Sequence, residues 1–234
     1  MVVMPVLGAH FTIPAVLYVL LGIVLIWVSI NVTNCADGVD GLCTSLSMVT
    51  LVTVLVLLHT GEKLFETGQM QLVVWMMLFV LAAYLWFNCS PSSMLMGDAG
   101  SRALGLLIAL AFMVSGAPFM FIPAALLLIL DGGLGLLKLT VLRVTKSKTF
   151  MKNIRTPLHD HARKNKGWSD TQVVTRFTLL QLLLSAAAVE LLGAFFLIHQ
   201  LHRPGLLLRP GDDEGRQGYG QVGHRNSVLQ HSER

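Results

Sequence analysis

Charge is scarce in this chain of 234 residues: only 13% are Asp, Glu, Lys or Arg, whereas 54% are hydrophobic. Soluble domains carry about 25% charged residues, which excludes an ordinary cytosolic globular enzyme. Cysteine is scarce too. Cys35, Cys43 and Cys89 are too few and too unevenly spaced for a disulfide framework or a thiolate zinc module, and small apolar filling of a helix or loop accounts for each.

In their place stand long apolar runs. A helix needs roughly 20 mainly apolar residues to cross a bilayer. Runs approaching that length extend from Ile13 to Ile30, Leu42 to Leu58, Gln71 to Phe87, Ala103 to Ala117, Phe119 to Leu142 and Phe177 to Leu201. The fifth is interrupted by Asp131-Gly132-Gly133 and Lys138, and the sixth only by Glu190. The expected fold is all-α, a polytopic transmembrane helix bundle of about six spans over residues 1–202. Residues 203–234 form a polar tail with no apolar period, expected to be disordered.

With six spans, the loops at 31–41, 88–102 and 143–176 share one face. The last of them holds, between Arg143 and Trp168, Arg143, Lys146, Lys148, Lys152, Arg155, Arg163, Lys164 and Lys166, eight of the 17 basic residues. The opposite loops hold only Lys63, so the positive-inside rule makes the first set cytoplasmic. The net charge of +4 then reports topology, and no nucleic-acid partner is needed to explain it.

The same three loops carry the unusual polar chemistry. In the first, Asp37-Gly38 and Asp40-Gly41 follow Asn34, so the backbone can turn tightly and bring amides close to a bound group. These carboxylates could bind a hard cation or accept sugar and base N–H and O–H groups, although Asp-Gly is also ordinary turn chemistry. In the second, Asn88 precedes Gly97-Asp98-Ala99-Gly100-Ser101, which opens the fourth span. A helix N-terminus there favours phosphate, and Asp98 could hold Mg²⁺ beside it; the plainer alternative is a helix cap by Asp98 or Ser101. In the third, His159 and His161 flank Asp160 among basic residues. On a helix the i, i+2 spacing points them apart, which disfavours a shared metal and suits donation to a diphosphate with Arg163 and Lys164.

Taken together, Asn31-x-x-Asn34-x-x-Asp37-Gly38-x-Asp40-Gly41-Leu42, Trp86-Phe87-Asn88 followed by Met96-Gly97-Asp98-x-Gly100-Ser101, and Pro157-x-His159-x-His161 followed by Gly167-Trp168 and Gln172-Val-Val-Thr-Arg176-Phe177 resemble the polyprenyl-phosphate N-acetylhexosamine-1-phosphate transferases. Within these glycosyltransferase 4 enzymes the third stretch is most similar to the phospho-N-acetylmuramoyl-pentapeptide-transferase branch. The resemblance implies a bacterial inner-membrane enzyme of peptidoglycan synthesis with cytoplasmic active-site loops. It would transfer phospho-MurNAc-pentapeptide from UDP-MurNAc-pentapeptide to undecaprenyl phosphate with Mg²⁺ as cofactor, giving lipid I and UMP. Asp98 matches the metal-binding aspartate. His159 and His161 are expected at the catalytic centre. Asn34, Asp37, Gly38, Asp40, Asn88, Leu95, Gly97, Ser101 and Asp160 are expected around the substrate, with Asp40 and Asn88 on the uridine side. A homodimer is a further expectation, because members of the family are often dimeric.

Some positions depart from the family pattern. Leu95 falls where many members carry an aromatic residue against uracil, and Asp160 replaces a central histidine, a negative charge to be offset by Arg155, Arg163 or the metal. Arg102 falls where many members are apolar and is placed to pair with Asp98 at i, i+4. Asp131 matches an acidic position, with Lys138 as one candidate partner, and Glu190 is expected to face another helix or a subunit. The family has about ten spans, and an earlier loop with an Asp-Asp pair has no counterpart in this sequence. The expectation is therefore a fragment whose activity alone is doubtful. The alternatives are a UDP-GlcNAc-using relative, an inactive membrane fragment and a transporter with its polar groups spread through the membrane.

Overall fold

Pro14 ends an N-terminal extended segment, and from Ala15 the chain runs unbroken as helix α1 (Ala15–Ala36) until Asp37-Gly38 turns it. In the computed structural model, residues 2–6, 9–60, 67–145 and 155–201 are described, with side chains only between 14 and 194. Before α1 lies an antiparallel hairpin of β1 (Val2–Val6) and β2 (Ala9–Ile13), in which Val2 faces Ile13. This small ribbon is the one departure from the expected all-α character among the described residues. The bundle continues with α2 (Leu42–Thr60), α3 (Gly68–Asn88) and α4 (Gly97–Val114). It is completed by α5 (Phe121–Ala124), α6 (Leu126–Thr145), α7 (Leu158–Lys166) and α8 (Asp170–Leu201). The tail 203–234 and the charges at Glu62, Lys63, Glu66, Lys146, Lys148 and Lys152 lie outside the described residues.

Five of these helices are long and apolar enough to cross a membrane, and six segments qualify if the bent α5–α6 pair is one span. The protein is a membrane protein. Helices α1 and α3 expose Val16, Leu20, Trp27, Phe79 and Val80 along their length, as lipid-facing surfaces require, whereas α2 is the most enclosed. Thr50 and Thr53 of α2 return their hydroxyls to the carbonyls of Leu46 and Val49, so a polar helix centre stays satisfied away from water.

Helix α1 is the hub. On one side Gly105 of α4 lets the backbones meet: a Cβ there would lie 2.7 Å from Ile30 Cα, and Ser29 Oγ donates to the Gly105 carbonyl at 2.7 Å. On the other side Gly132 of α6 meets Val32, where a Cβ would come within 2.5 Å of the Val32 carbonyl oxygen. Lipid gives apolar helices no hydrophobic reason to associate, so close van der Waals approach through small residues carries the packing.

The expected fifth span, Phe119 to Leu142, is not one helix. The chain bends by 88° between α5 and α6, at Ala125. Pro118 opens a short 3-10 turn and Pro123 lies within the four-residue α5, and the ladder is interrupted where the Ala124 carbonyl and the Leu127 N–H leave it. Gln181 of α8 repairs the break: its amide donates to the Ala124 carbonyl, its oxygen accepts from Leu127 N–H at 2.8 Å, and Ser185 Oγ adds a second donor to Ala124 at 3.0 Å. Beyond the bend, Gly132 packs on Val32 in the last turns of α1, which brings the adjacent Asp131 near that helix end. Glu190 is exposed on α8 and is not turned into another helix of this chain.

Replacing Gly132 by Ala should destabilise the bundle by about 1–3 kcal/mol, because the facing atoms are backbone and cannot rotate away. Thermal unfolding in detergent checks this, with Gly193→Ala, which has nothing within 4 Å, expected to leave the midpoint unchanged.

Candidate functional site

The three chemistry-bearing loops meet at one end of the bundle. Asn34, in the last turn of α1, donates from Nδ2 to Asp98 Oδ1 at 3.1 Å and to Ser101 Oγ at 3.0 Å. Arg102 Nη2 donates to Asp98 Oδ2 at 3.3 Å and reaches Asn34 Oδ1 at 3.5 Å, so the expected i, i+4 pair forms. Helix α4 begins at Gly97, whose φ of +68° is a left-handed conformation that glycine accepts without strain. No side chain caps this helix start, and Ser101 Oγ instead donates to the Gly97 carbonyl at 3.0 Å.

Asp37, just past the end of α1, lies close enough to the start of α4 to feel the Gly97 N–H and the Asp98 charge. Burial pushes the Asp37 carboxyl above its ordinary range, the Gly97 N–H works against that rise, and the Asp98 charge adds to it. Two carboxylates that repel each other at a helix N-terminus suit a hard divalent cation. Among the described residues no three His, Cys, Asp or Glu side chains cluster to hold a metal alone. A cation here would draw further oxygens from a bound anion, the usual arrangement for Mg²⁺ with one or two carboxylates and phosphate.

Asp40 parts company with Asp37. One of its oxygens accepts the Ser92 N–H at 3.0 Å, tying the first loop to the second. Asn88, buried at the end of α3, does the same from the other side. Its Oδ1 accepts from Gly41 N–H at 3.1 Å and Thr44 Oγ1 at 3.0 Å, and its Nδ2 donates to the Met94 carbonyl at 2.9 Å. Beside these residues opens a cavity of about 210 Å³ with a largely apolar wall that includes Leu85 and Val174, into which Asp40, Ser45, Thr171 and Thr175 bring a few polar groups. Leu95, at the edge of the second loop, is 77% exposed.

The third loop folds into α7, and the helix separates the two histidines. His159 turns inward: Asp131 Oδ1 accepts its backbone N–H at 2.7 Å and Asp131 Oδ2 lies 2.8 Å from Nδ1. Asp131 is fully buried, so its partner is His159, a correction to the expected pairing with Lys138, which has interactions of its own. The opposite ring edge packs on Gly38, where a Cβ would lie 2.5 Å from Nε2. His161 points away and accepts the Arg155 N–H at 3.5 Å.

Asp160 is offset first by Lys164 Nζ at 3.0 Å, one turn on in α7, with the expected contribution from Arg163 behind it. Although burial raises its carboxyl, the Lys164 hydrogen bond and charge, helped by His159 and Arg163, bring it below the ordinary range. The pair therefore stabilises α7 above the ordinary carboxylate range and loses that effect as pH falls through the lowered value, an effect of at most about 0.5 kcal/mol for an exposed pair. Arg163 is committed to Asp170 by two contacts of 2.6 and 3.2 Å.

The Gly167-Trp168 to Phe177 stretch positions this loop. Gly167 ends α7 in a left-handed conformation, and Ser169 with Gln172 forms a reciprocal capping box at the start of α8, at 3.1 and 3.2 Å. The Arg176 guanidinium lies 4.2 Å from the Trp168 ring centre. Ser169-Asp170-Thr171-Gln172 carries the capping signature in the sequence; the Arg163–Asp170 pair carried no comparable local signal.

Asn88→Leu should strip the Gly41 N–H and the Thr44 hydroxyl of their acceptor, at a cost of about 1–3 kcal/mol for each buried group left unpaired, while the Met94 carbonyl keeps Tyr84 and Ser92 as donors. Faster protease cleavage between residues 89 and 96, with a lower unfolding midpoint, is the expected outcome.

Comparison with known proteins matches residues 2–116 to glycosyl transferase family 4. The phospho-N-acetylmuramoyl-pentapeptide-transferase of Treponema pallidum (strain Nichols) is 40% identical over 186 residues, which cover 74% of this chain and 50% of the relative. The enzyme of the same name from Dictyoglomus thermophilum is 30% identical over 178 residues, 76% of this chain and 55% of the relative. That of Helicobacter pylori (strain Shi470) is 26% identical over 190 residues, 76% of this chain and 53% of the relative. The chain spans about half the length of the curated relatives it matches. It belongs to glycosyl transferase family 4.

Proposed function

We propose that this chain carries the cytoplasmic active-site face of a bacterial inner-membrane phosphoglycosyl transferase. The reaction is transfer of phospho-MurNAc-pentapeptide from UDP-MurNAc-pentapeptide to undecaprenyl phosphate, giving lipid I and UMP. The observation that supports this best is convergence: residues 64 and 28 positions apart, Asn34 with Asp98 and Asp131 with His159, are hydrogen-bonded at the same end of one bundle. A transporter would need such groups distributed through the membrane.

In this reading Asp98 and Asp37 hold Mg²⁺, which when bound neutralises diphosphate charge and orients its oxygens. The uncapped first turn of α4 presents N–H groups to the same anion. His159, fixed by Asp131 and seated against Gly38, stabilises charge on the departing UMP phosphate. A phosphate oxygen of the lipid attacks the sugar-linked phosphorus, and the bond to the UMP phosphate breaks. That nucleophile is already anionic and needs no general base. Asp40 and the adjoining cavity take the uridine, with Leu95 supplying apolar contact and no aromatic stacking. Asn34, Ser101 and Asn88 act by holding the loops, and Asp160 and His161 by shaping α7. Residues 1–202 form the membrane transferase region with cytoplasmic loops, 203–234 form a separate polar tail, and two copies pair as a homodimer in the lipid.

The test is lipid I formation from radiolabelled donor by the chain completed to the length of its relatives. Asp98→Asn should reduce Mg²⁺-dependent turnover on the order of 10²-fold or more. Undiminished turnover would overturn the metal assignment, and UMP exchange with UDP-GlcNAc in place of the pentapeptide donor would overturn the substrate.

A further inference from the structure

Two oxygens converge across the gap between α1 and α4, Asp98 Oδ2 and Asn34 Oδ1, and one nitrogen covers both. Arg102 Nη2 lies 3.3 Å from the first and 3.5 Å from the second. Asn34 is oriented for this by its other end, since Nδ2 is engaged by Asp98 Oδ1 and Ser101 Oγ and its carbonyl oxygen must therefore face Arg102. The guanidinium thus occupies the place where a cation would find a carboxylate and an amide oxygen together.

We propose that Arg102 is a built-in competitor for the divalent cation at Asp98. This rests on the reading of Asp98 as the metal carboxylate. Arg102 is a weak competitor by construction. Asp98 is 80% exposed and Arg102 51%, and an exposed i, i+4 pair is weak, so a divalent ion can displace it. After displacement the positive charge stays on the next turn of the same helix and continues to repel the ion. The consequence is a raised threshold concentration for metal at this site.

Mn²⁺ binding to the purified chain in lipid nanodiscs, followed by electron paramagnetic resonance without substrate, tests this directly. Arg102→Leu should bind Mn²⁺ about three- to tenfold more tightly than the native chain at low ionic strength, from loss of the pair and of the residual repulsion. The gain should shrink as KCl is raised, because exposed charges are screened. Arg102→Lys keeps the charge and should lie closer to the native chain than Arg102→Leu does. A matching thermal midpoint shows that the Leu variant is folded, as expected for a helix-compatible change at an exposed site.

If Asp98→Asn abolishes binding and Arg102→Leu binds no tighter than the native chain, the competitor role is overturned and the metal reading survives. If Asp98→Asn binds Mn²⁺ as well as the native chain, or if native chain and variants alike bind none, the metal reading falls and the competitor role with it.

Discussion

Helix α1 touches its two main neighbours backbone to backbone, at Gly105 of α4 and Gly132 of α6, and the Asn34–Asp98 and Asp131–His159 contacts of the candidate site follow from those two approaches. The Gly105 contact sets the height of α4 so that Gly97 and Asp98 arrive beside Asn34. The Gly132 contact places the preceding residue, Asp131, where α7 can deliver His159. A methyl group at either glycine would separate helices whose ends must meet within hydrogen-bonding distance. In a bilayer this dependence is sharp, because shape complementarity between helices is not reinforced by expulsion of water.

On that frame the acidic groups divide by environment. Asp131 is fully buried and tolerates burial because His159 supplies both a backbone and a ring nitrogen to its two oxygens. An isolated buried carboxylate would be far too costly, so the pair is a structural necessity as well as a means of aiming the imidazole at Gly38. Asp98 and Asp37 sit at the water-facing end, where their partners are exchangeable. Burial and the nearby Asp98 charge leave Asp37 above its ordinary range, a mismatch that a divalent cation would relieve. Basic residues of α7 that looked free to meet an anion are instead engaged with neighbours: Lys164 with Asp160, and Arg163 with Asp170.

The helices and their order were readable in the chain because apolar runs of spanning length have few alternatives in lipid. The fifth segment misled for a related reason. Hydropathy sums over residues and cannot register that the Ala124 carbonyl and the Leu127 N–H leave the ladder, nor that a glutamine 54 residues beyond Leu127 would satisfy the freed backbone. The candidate residues of the first two loops were legible as a set, since glycines, amides and carboxylates at short spacing have few uses beside a membrane. Their division of labour was not. Asn88 resembled a substrate ligand by its motif, yet its amide is consumed in joining α3, the first loop and Met94.

By itself the sequence determined that the chain is a helical membrane protein whose polar chemistry gathers in three loops on one face, because length, hydropathy and charge are local properties. It also determined the pairing of Asp98 with Arg102, since residues four apart on a helix must be neighbours. Only the tertiary structure decided that Asp131 belongs to His159, that Asp37 and Asp40 serve different partners, and that Arg102 covers Asn34 as well as Asp98. Those outcomes depend on the angle and depth at which helices distant in sequence approach one another, and two glycines facing bare backbone set that depth.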